Sequence, residues 1–129
     1  MRDFLFSVDK LLVNGTTTCS YFGVLGVEST KVLVDVLWEK GQRAFVGKVN
    51  MNRMSPDDYC EDDKTSLETT KHFIDYVRGG GSDKDKDKDK DRRTPLVEPV
   101  ITPRFVPSCT ENLLSSLGEL ARSTGCRVQ

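Results

Sequence analysis

Apolar side chains recur at a helical spacing in four segments of the chain. Residues 2–13, 28–40, 65–78 and 108–124 each place such side chains on one face, and a glycine follows each segment closely. The last two segments begin with the pattern Ser/Thr-x-x-Glu, which predicts helix caps at Thr65 and Ser108. We therefore expect four amphipathic helices.

The segments between the helices are rich in β-branched and aromatic residues. Residues 16–22, 43–51 and 97–105 predict strands, and residues 126–129 predict the start of another strand. Strands that alternate with helices at short loop lengths favour a parallel α/β sheet. A closed (β/α)8 barrel runs to roughly 250 residues. We therefore predict a partial (β/α)8 barrel that is incomplete at both ends.

A low-complexity stretch interrupts this alternation. It begins with Gly79-Gly80-Gly81 and continues as alternating Asp and Lys. We predict three parts: residues 1–78 as the first barrel segment, 79–95 as a disordered insertion, and 96–129 as the second barrel segment. The alternating signs favour a solvated linker over a Ca²⁺ site, because no dense carboxylate cluster forms.

Composition limits the partners and the cellular location that we expect. The formal net charge is −1, so no attraction to nucleic acid or to an anionic membrane is predicted. No apolar run approaches the ~20 residues of a membrane span, and the N-terminus resembles neither a signal peptide nor a transit peptide. The four cysteines are widely separated, which favours a reduced, cytoplasmic protein.

The third strand ends in an arginine and an aromatic residue, Arg104 and Phe105. Parallel α/β folds bind ligands at the carboxyl ends of their strands, so this pair is the candidate binding site. The structural alternatives are a salt bridge for Arg104 and core packing for Phe105. His72 is expected to be a partly exposed helix residue. For Cys19 and Cys109 we favour buried side chains over nucleophiles.

Three sequence blocks resemble guanine deaminase, a member of the zinc-dependent amidohydrolases. The blocks are N-G-T-T-T-C-S-Y-F at 14–22, G-Q-R-A-F-V-G-K-V at 41–49 and V-I-T-P-R-F at 100–105. The resemblance implies that the strands of this chain are roughly the second to the fifth strands of the barrel. It implies an enzyme that hydrolyses guanine to xanthine and ammonia in purine catabolism. It also implies that Arg104 and Phe105 contact the base.

The same resemblance implies zinc in the full-length enzyme, but this chain lacks the metal ligands of the family. Its only histidine is His72, and one histidine cannot form a zinc site. We therefore expect no catalytic and no metal-binding residue here, and we expect this chain alone to be inactive. The full-length family enzyme is expected to bind guanine and to form a homodimer. The alternative is an inactive half-barrel interaction protein, or a truncated or mispredicted gene product.

Overall fold

Helices and strands alternate along the chain as the hydrophobic pattern predicts. The computed structural model describes residues 2–80 and 95–129. The helices are α1 (Arg2–Val13), α2 (Val27–Lys40), α3 (Asp63–Arg78) and α4 (Glu111–Thr124). The strands are β1 (Thr18–Phe22), β2 (Arg43–Gly47), β3 (Val49–Asn50), β4 (Val97–Pro103) and β5 (Arg127–Val128). The fold is an α/β arrangement, and the helix and strand boundaries lie within a few residues of those predicted.

All described strand pairs are parallel. β1 pairs with β2, both β2 and β3 pair with β4, and β5 pairs with the other side of β4. When β2 and β3 are counted as one strand, strands that follow one another in sequence are neighbours in the sheet. This order is that of a (β/α)8 barrel segment, and it brings the carboxyl ends of the strands to one edge.

The strand predicted over residues 43–51 is interrupted at one position. β2 and β3 keep the same register against β4, with Val46 opposite Pro99 and Val49 opposite Thr102. Lys48 lies between the two pieces and is buried. β2 and β3 thus act as successive parts of one barrel strand.

The helices pack side by side and cover one face of the sheet. A first core joins α1, α2 and α3 to β1, β2 and β4, and it includes Leu37, Val46, Phe73 and Val97. A second core joins α3 and α4 to β4, and it includes Ile74, Ile101, Leu113 and Leu117. Alternate residues of β1 (Thr18, Ser20, Phe22) are exposed, as expected for a sheet with helices on one face only.

The predicted caps of two helices were wrong by two or three residues. Asp62, not Thr65, caps α3, because its carboxylate accepts a hydrogen bond from the Thr65 backbone N–H at 2.9 Å. Thr110, not Ser108, caps α4 and accepts from the Leu113 N–H at 3.3 Å. Several Ser, Thr and Asp residues precede each helix, so the capping pattern fits more than one register.

Two further expectations concern the insertion at residues 79–95 and the absence of a membrane span. The predicted insertion at 79–95 lies mostly outside them, so its disorder remains a prediction. Among the residues that are described, no helix combines the length and the apolar character that crossing a bilayer requires.

A buried amide fixes the turn between α2 and β2 to β1. Gln42 is fully buried, accepts a hydrogen bond from the Tyr21 hydroxyl at 2.6 Å and donates one to the Thr16 carbonyl at 2.7 Å. Burial raises the pKa of Tyr21 to about 12, and nearby Cys19 acts in the same direction. The Tyr21 phenol therefore stays protonated in the folded chain at a pH where an unfolded chain would ionise it.

We predict that stability falls between about pH 10 and about pH 12, because the unfolded state loses the Tyr21 proton first. Below about pH 10 the phenol is neutral in both states and contributes no pH dependence. Urea unfolding of the 129-residue chain across this range measures the effect. The matched variant Tyr21→Phe should show a smaller alkaline loss, and an identical loss in both proteins would contradict the assignment.

Candidate functional site

The carboxyl ends of strands β3 and β4 meet at the edge of the sheet where the predicted site residues lie. The Arg104 backbone N–H donates to the Asn50 carbonyl at 3.0 Å, which extends the pairing of β3 with β4 by one step. Arg104 and Phe105 follow β4 directly, as the sequence predicts. The chain therefore presents both residues at the carboxyl edge of the sheet.

The Arg104 side chain is exposed and lies against a methionine. Its Nη1 atom is 3.3 Å from the sulfur of Met51, a residue that is fully buried at the end of β3. None of the described carboxylates forms an ion pair with Arg104. Within the described residues, the structural salt bridge considered as an alternative is not found, and the guanidinium fork retains donors for a ligand.

Phe105 has a backbone held by hydrogen bonds, and the residue as a whole is 54% exposed. Its carbonyl accepts hydrogen bonds from the backbone N–H and the hydroxyl of Ser108, both at 3.0 Å. These bonds close the short 3-10 turn Val106–Ser108. Arg53 supports the same turn by donating from Nε to the Pro107 carbonyl at 2.9 Å. Core packing, the structural alternative for Phe105, does not account for a residue that is half exposed.

Asn52 joins the loop after β3 to the start of α4. Its side-chain amide donates to the Thr110 hydroxyl at 2.7 Å, and its side-chain oxygen accepts from the Thr110 N–H at 2.8 Å. The same amide also donates to Asp63 at the start of α3. This role of Asn52 was not predicted from the sequence. The only signal was an asparagine directly after an apolar strand, a position typical of many loops.

Gly47 allows β2 and β4 to approach closely. A Cβ atom at this position would overlap the hydroxyl of Thr102 and the carbonyl oxygen of Val100. The Gln129 side chain lies near the same hydroxyl, donating to Thr102 Oγ1 at 2.8 Å and to the Tyr21 carbonyl at 3.1 Å. The hydrogen bonds of Gln129 thus connect β4 to β1.

The remaining candidates from the sequence lie away from this edge. His72 is exposed on α3, as predicted. Cys109 is buried, with its thiol directed to the Asn50 carbonyl at 3.3 Å, whereas Cys19 is only partly buried. The described residues include no group of three or more His, Cys, Asp or Glu side chains arranged to hold a metal ion. Chemically, the edge offers a donor fork and an aromatic ring, which together suit a planar ligand that carries hydrogen-bond acceptors.

Comparison with known proteins identifies the relatives of this chain. Guanine deaminase of Dictyostelium discoideum is 40% identical over 122 residues, which is 95% of this chain and 24% of the relative. A probable guanine deaminase of Schizosaccharomyces pombe is 43% identical over 123 residues, again 95% of this chain and 21% of the relative. The chain thus spans about a quarter of the length of the curated relatives it matches. No family model matches the chain.

A solved structure agrees with these sequence matches. The crystal structure of guanine deaminase from C. acetobutylicum, with guanine bound in its active site, superposes with a TM-score of 0.81 at 37% identity. The match covers 96% of this chain and 26% of that one. The likeness in sequence and in fold therefore extends over nearly all of this chain. It confirms the expected partial amidohydrolase barrel.

We predict that Gly47→Ala destabilises the 129-residue chain by about 1–3 kcal/mol or more, because the new methyl group has no room against β4. Urea unfolding measures the change. Gly118→Ala is the matched control: Gly118 lies inside α4 with no atom closer than 4.0 Å to an added Cβ. This control should stabilise by about 0.5–1 kcal/mol through helix propensity. A Gly47→Ala protein as stable as the parent would contradict the close approach.

Proposed function

We infer that this chain is a partial piece of a guanine deaminase and that it supplies part of the purine pocket of that enzyme. The enzyme would hydrolyse guanine to xanthine and ammonia. The single observation that carries the proposal is the state of Arg104: an exposed guanidinium at the tip of β4, with no described carboxylate partner. The segment that bears it is similar to guanine deaminases over nearly its whole length.

Arg104 suits guanine because of its donor geometry. Guanine carries two adjacent acceptors, O6 and N7, and an arginine fork can donate to both at once, as in major-groove recognition of this base. A lysine in this place would offer a single point of charge without the planar fork. The proposed role of Arg104 is therefore to bind and orient the base.

Phe105 would hold the same base through its face. Stacking of a nucleobase on an aromatic side chain is worth about 1–3 kcal/mol in single-strand recognition. The half exposure of Phe105 and the hydrogen bonds that hold its backbone support this proposal, because a ligand could cover the residue without rearranging the turn. Substrate binding by Arg104 and Phe105 thus uses two different features of guanine, its acceptor edge and its aromatic plane.

The residues of this chain do not fit the zinc site that the family resemblance implies. The sequence has one histidine, His72, and this residue is exposed on α3 rather than at the carboxyl edge of the sheet. The described residues contain no cluster that could complete a metal site around it. We therefore propose base recognition as the contribution of this chain and assign no catalytic step to it.

The proposal extends to the cellular location and the oligomeric state of the full-length enzyme. We propose a cytoplasmic enzyme that forms a homodimer, on the basis of family resemblance. The net charge of −1 supports a small-molecule substrate over nucleic acid.

A chimaera tests the proposal directly. In it, this chain replaces the homologous segment of the Dictyostelium discoideum enzyme, to which it is 40% identical. We expect the chimaera to produce xanthine from guanine. A folded chimaera without activity would contradict the proposal and favour an interaction protein with half a barrel.

Within the active chimaera, Arg104→Ala should lower kcat/KM for guanine by about 10- to 150-fold, as loss of a charged hydrogen bond of ~1.5–3 kcal/mol predicts. Arg122→Ala is the matched control, because Arg122 is an exposed arginine on α4 and should leave kcat/KM unchanged. Steady-state kinetics measure both variants. Unchanged kinetics for Arg104→Ala would remove Arg104 from the substrate site.

A further inference from the structure

Lys48 is a buried cation at the interruption between β2 and β3. Its side chain has no exposed surface, its Nζ atom donates to the Val49 carbonyl at 3.1 Å, and it forms an ion pair with Glu61. Burial lowers the pKa of Lys48, and the hydrogen bond that its Nζ atom donates to the Glu61 carboxylate opposes this shift. A buried charge in the middle of an apolar strand is costly, so its position calls for a physical reason.

Glu61 connects Lys48 to the end of β3. Its side chain is 13% exposed, and its backbone N–H donates to the Met51 carbonyl at 3.2 Å. The loop that leaves the strand at Met51 therefore returns to the same strand at Glu61. The ion pair and this backbone hydrogen bond close the loop at its base.

Met51 links this closure to the guanidinium of Arg104. The buried Met51 side chain places its sulfur 3.3 Å from Arg104 Nη1. Its carbonyl accepts from Glu61, and the neighbouring carbonyl of Asn50 accepts from the Arg104 N–H. The contacts thus run without a gap from Lys48 through Glu61 and Met51 to Arg104.

Stability alone is a weak reason to retain this ion pair. Buried ion pairs often contribute little net stability, because desolvation of the two charges offsets their attraction. Accurate placement of a binding group affects function more strongly than this small net stability does, since a displacement of about 1 Å can cost about 100-fold in rate. The location of the pair, at the base of the loop that begins at Met51, favours the second explanation.

We propose that Lys48 and Glu61 are positioning residues for base recognition, which hold Met51 in place and thereby fix the Arg104 guanidinium. This inference rests on the proposed function and deepens it by naming what orients the base-binding arginine. Neither residue touches the base in this proposal. They act only through Met51 and Arg104.

The test uses Lys48→Met in the active chimaera, because methionine keeps the length of the side chain and removes its charge. We expect KM for guanine to rise about tenfold with kcat changed less than about twofold, as loss of binding in both ground and transition states predicts. Combined with Arg104→Ala, Lys48→Met should add no further loss, because the two residues act through one contact. A fully additive double variant would overturn the proposal.

Lys40→Met is the matched control for the removal of an ion pair. Lys40 pairs with Asp9 at 2.9 Å and ties α2 to α1, away from the carboxyl edge of the sheet. This variant should leave KM unchanged. An equal rise in KM for Lys40→Met and Lys48→Met would overturn the positioning role, because Lys48 would then contribute only to the stability of the fold.

Amide hydrogen exchange provides a readout that does not depend on activity. In Lys48→Met, exchange should accelerate in the loop 51–61 and at Arg104, while α2 and α4 remain protected as in the parent. Uniform acceleration, or no change at all, would overturn the proposal. If Lys48→Met does not fold, Glu61→Gln carries the same expectations, because it removes the charge of the partner and preserves its volume.

The parent chimaera separates the two hypotheses. A folded but inactive parent contradicts the proposed function, and the exchange experiment on its Lys48→Met variant still tests whether the pair holds Met51 and Arg104. An active parent whose KM does not respond to Lys48→Met contradicts the positioning role alone.

Discussion

The parallel pairing of β2 and β3 with β4 is the constraint on which the rest of the structure depends. The pairing keeps one register on both sides of Lys48, although the ladder is interrupted there. It requires the backbones to approach so closely at Gly47 that no side chain fits between them. Because the register holds, β3 and β4 end together, and Arg104 can donate to Asn50. A shift by one residue would exchange the faces of β4 and remove Ile101 from the helix-covered core.

Sequence alone predicted the helices, the strand order and the position of Arg104 and Phe105 at a strand end, for physical reasons. The helices were found because burial of one face imposes a period that can be read along the chain, as in α1 and α4. The strand tip with Arg104 and Phe105 was found because an apolar run ends abruptly in polar and aromatic residues. The fold class was confirmed by relatives that share the parallel α/β arrangement.

Other features could not be read from the sequence because they depend on contacts between distant residues. The interruption at Lys48 leaves no mark on the alternation of side chains. The partner of Lys48 is Glu61, which lies in a polar loop among several other acidic residues. Met51 appeared only as the last residue of an apolar strand, and nothing in the sequence related its sulfur to the guanidinium of Arg104. The caps were misplaced because Asp62 and Thr110 compete with neighbouring Ser and Thr residues that fit the same pattern.

Arg104 is proposed to bind the acceptor edge of guanine from the end of a barrel strand. A crystal structure of the active chimaera with guanine bound would test this most directly, through the distances from the Arg104 guanidinium nitrogens to O6 and N7 of the base. Both distances should lie within about 3.2 Å, as charge-assisted hydrogen bonds require. An Arg104 side chain paired with a carboxylate, or turned away from the bound base, would contradict it.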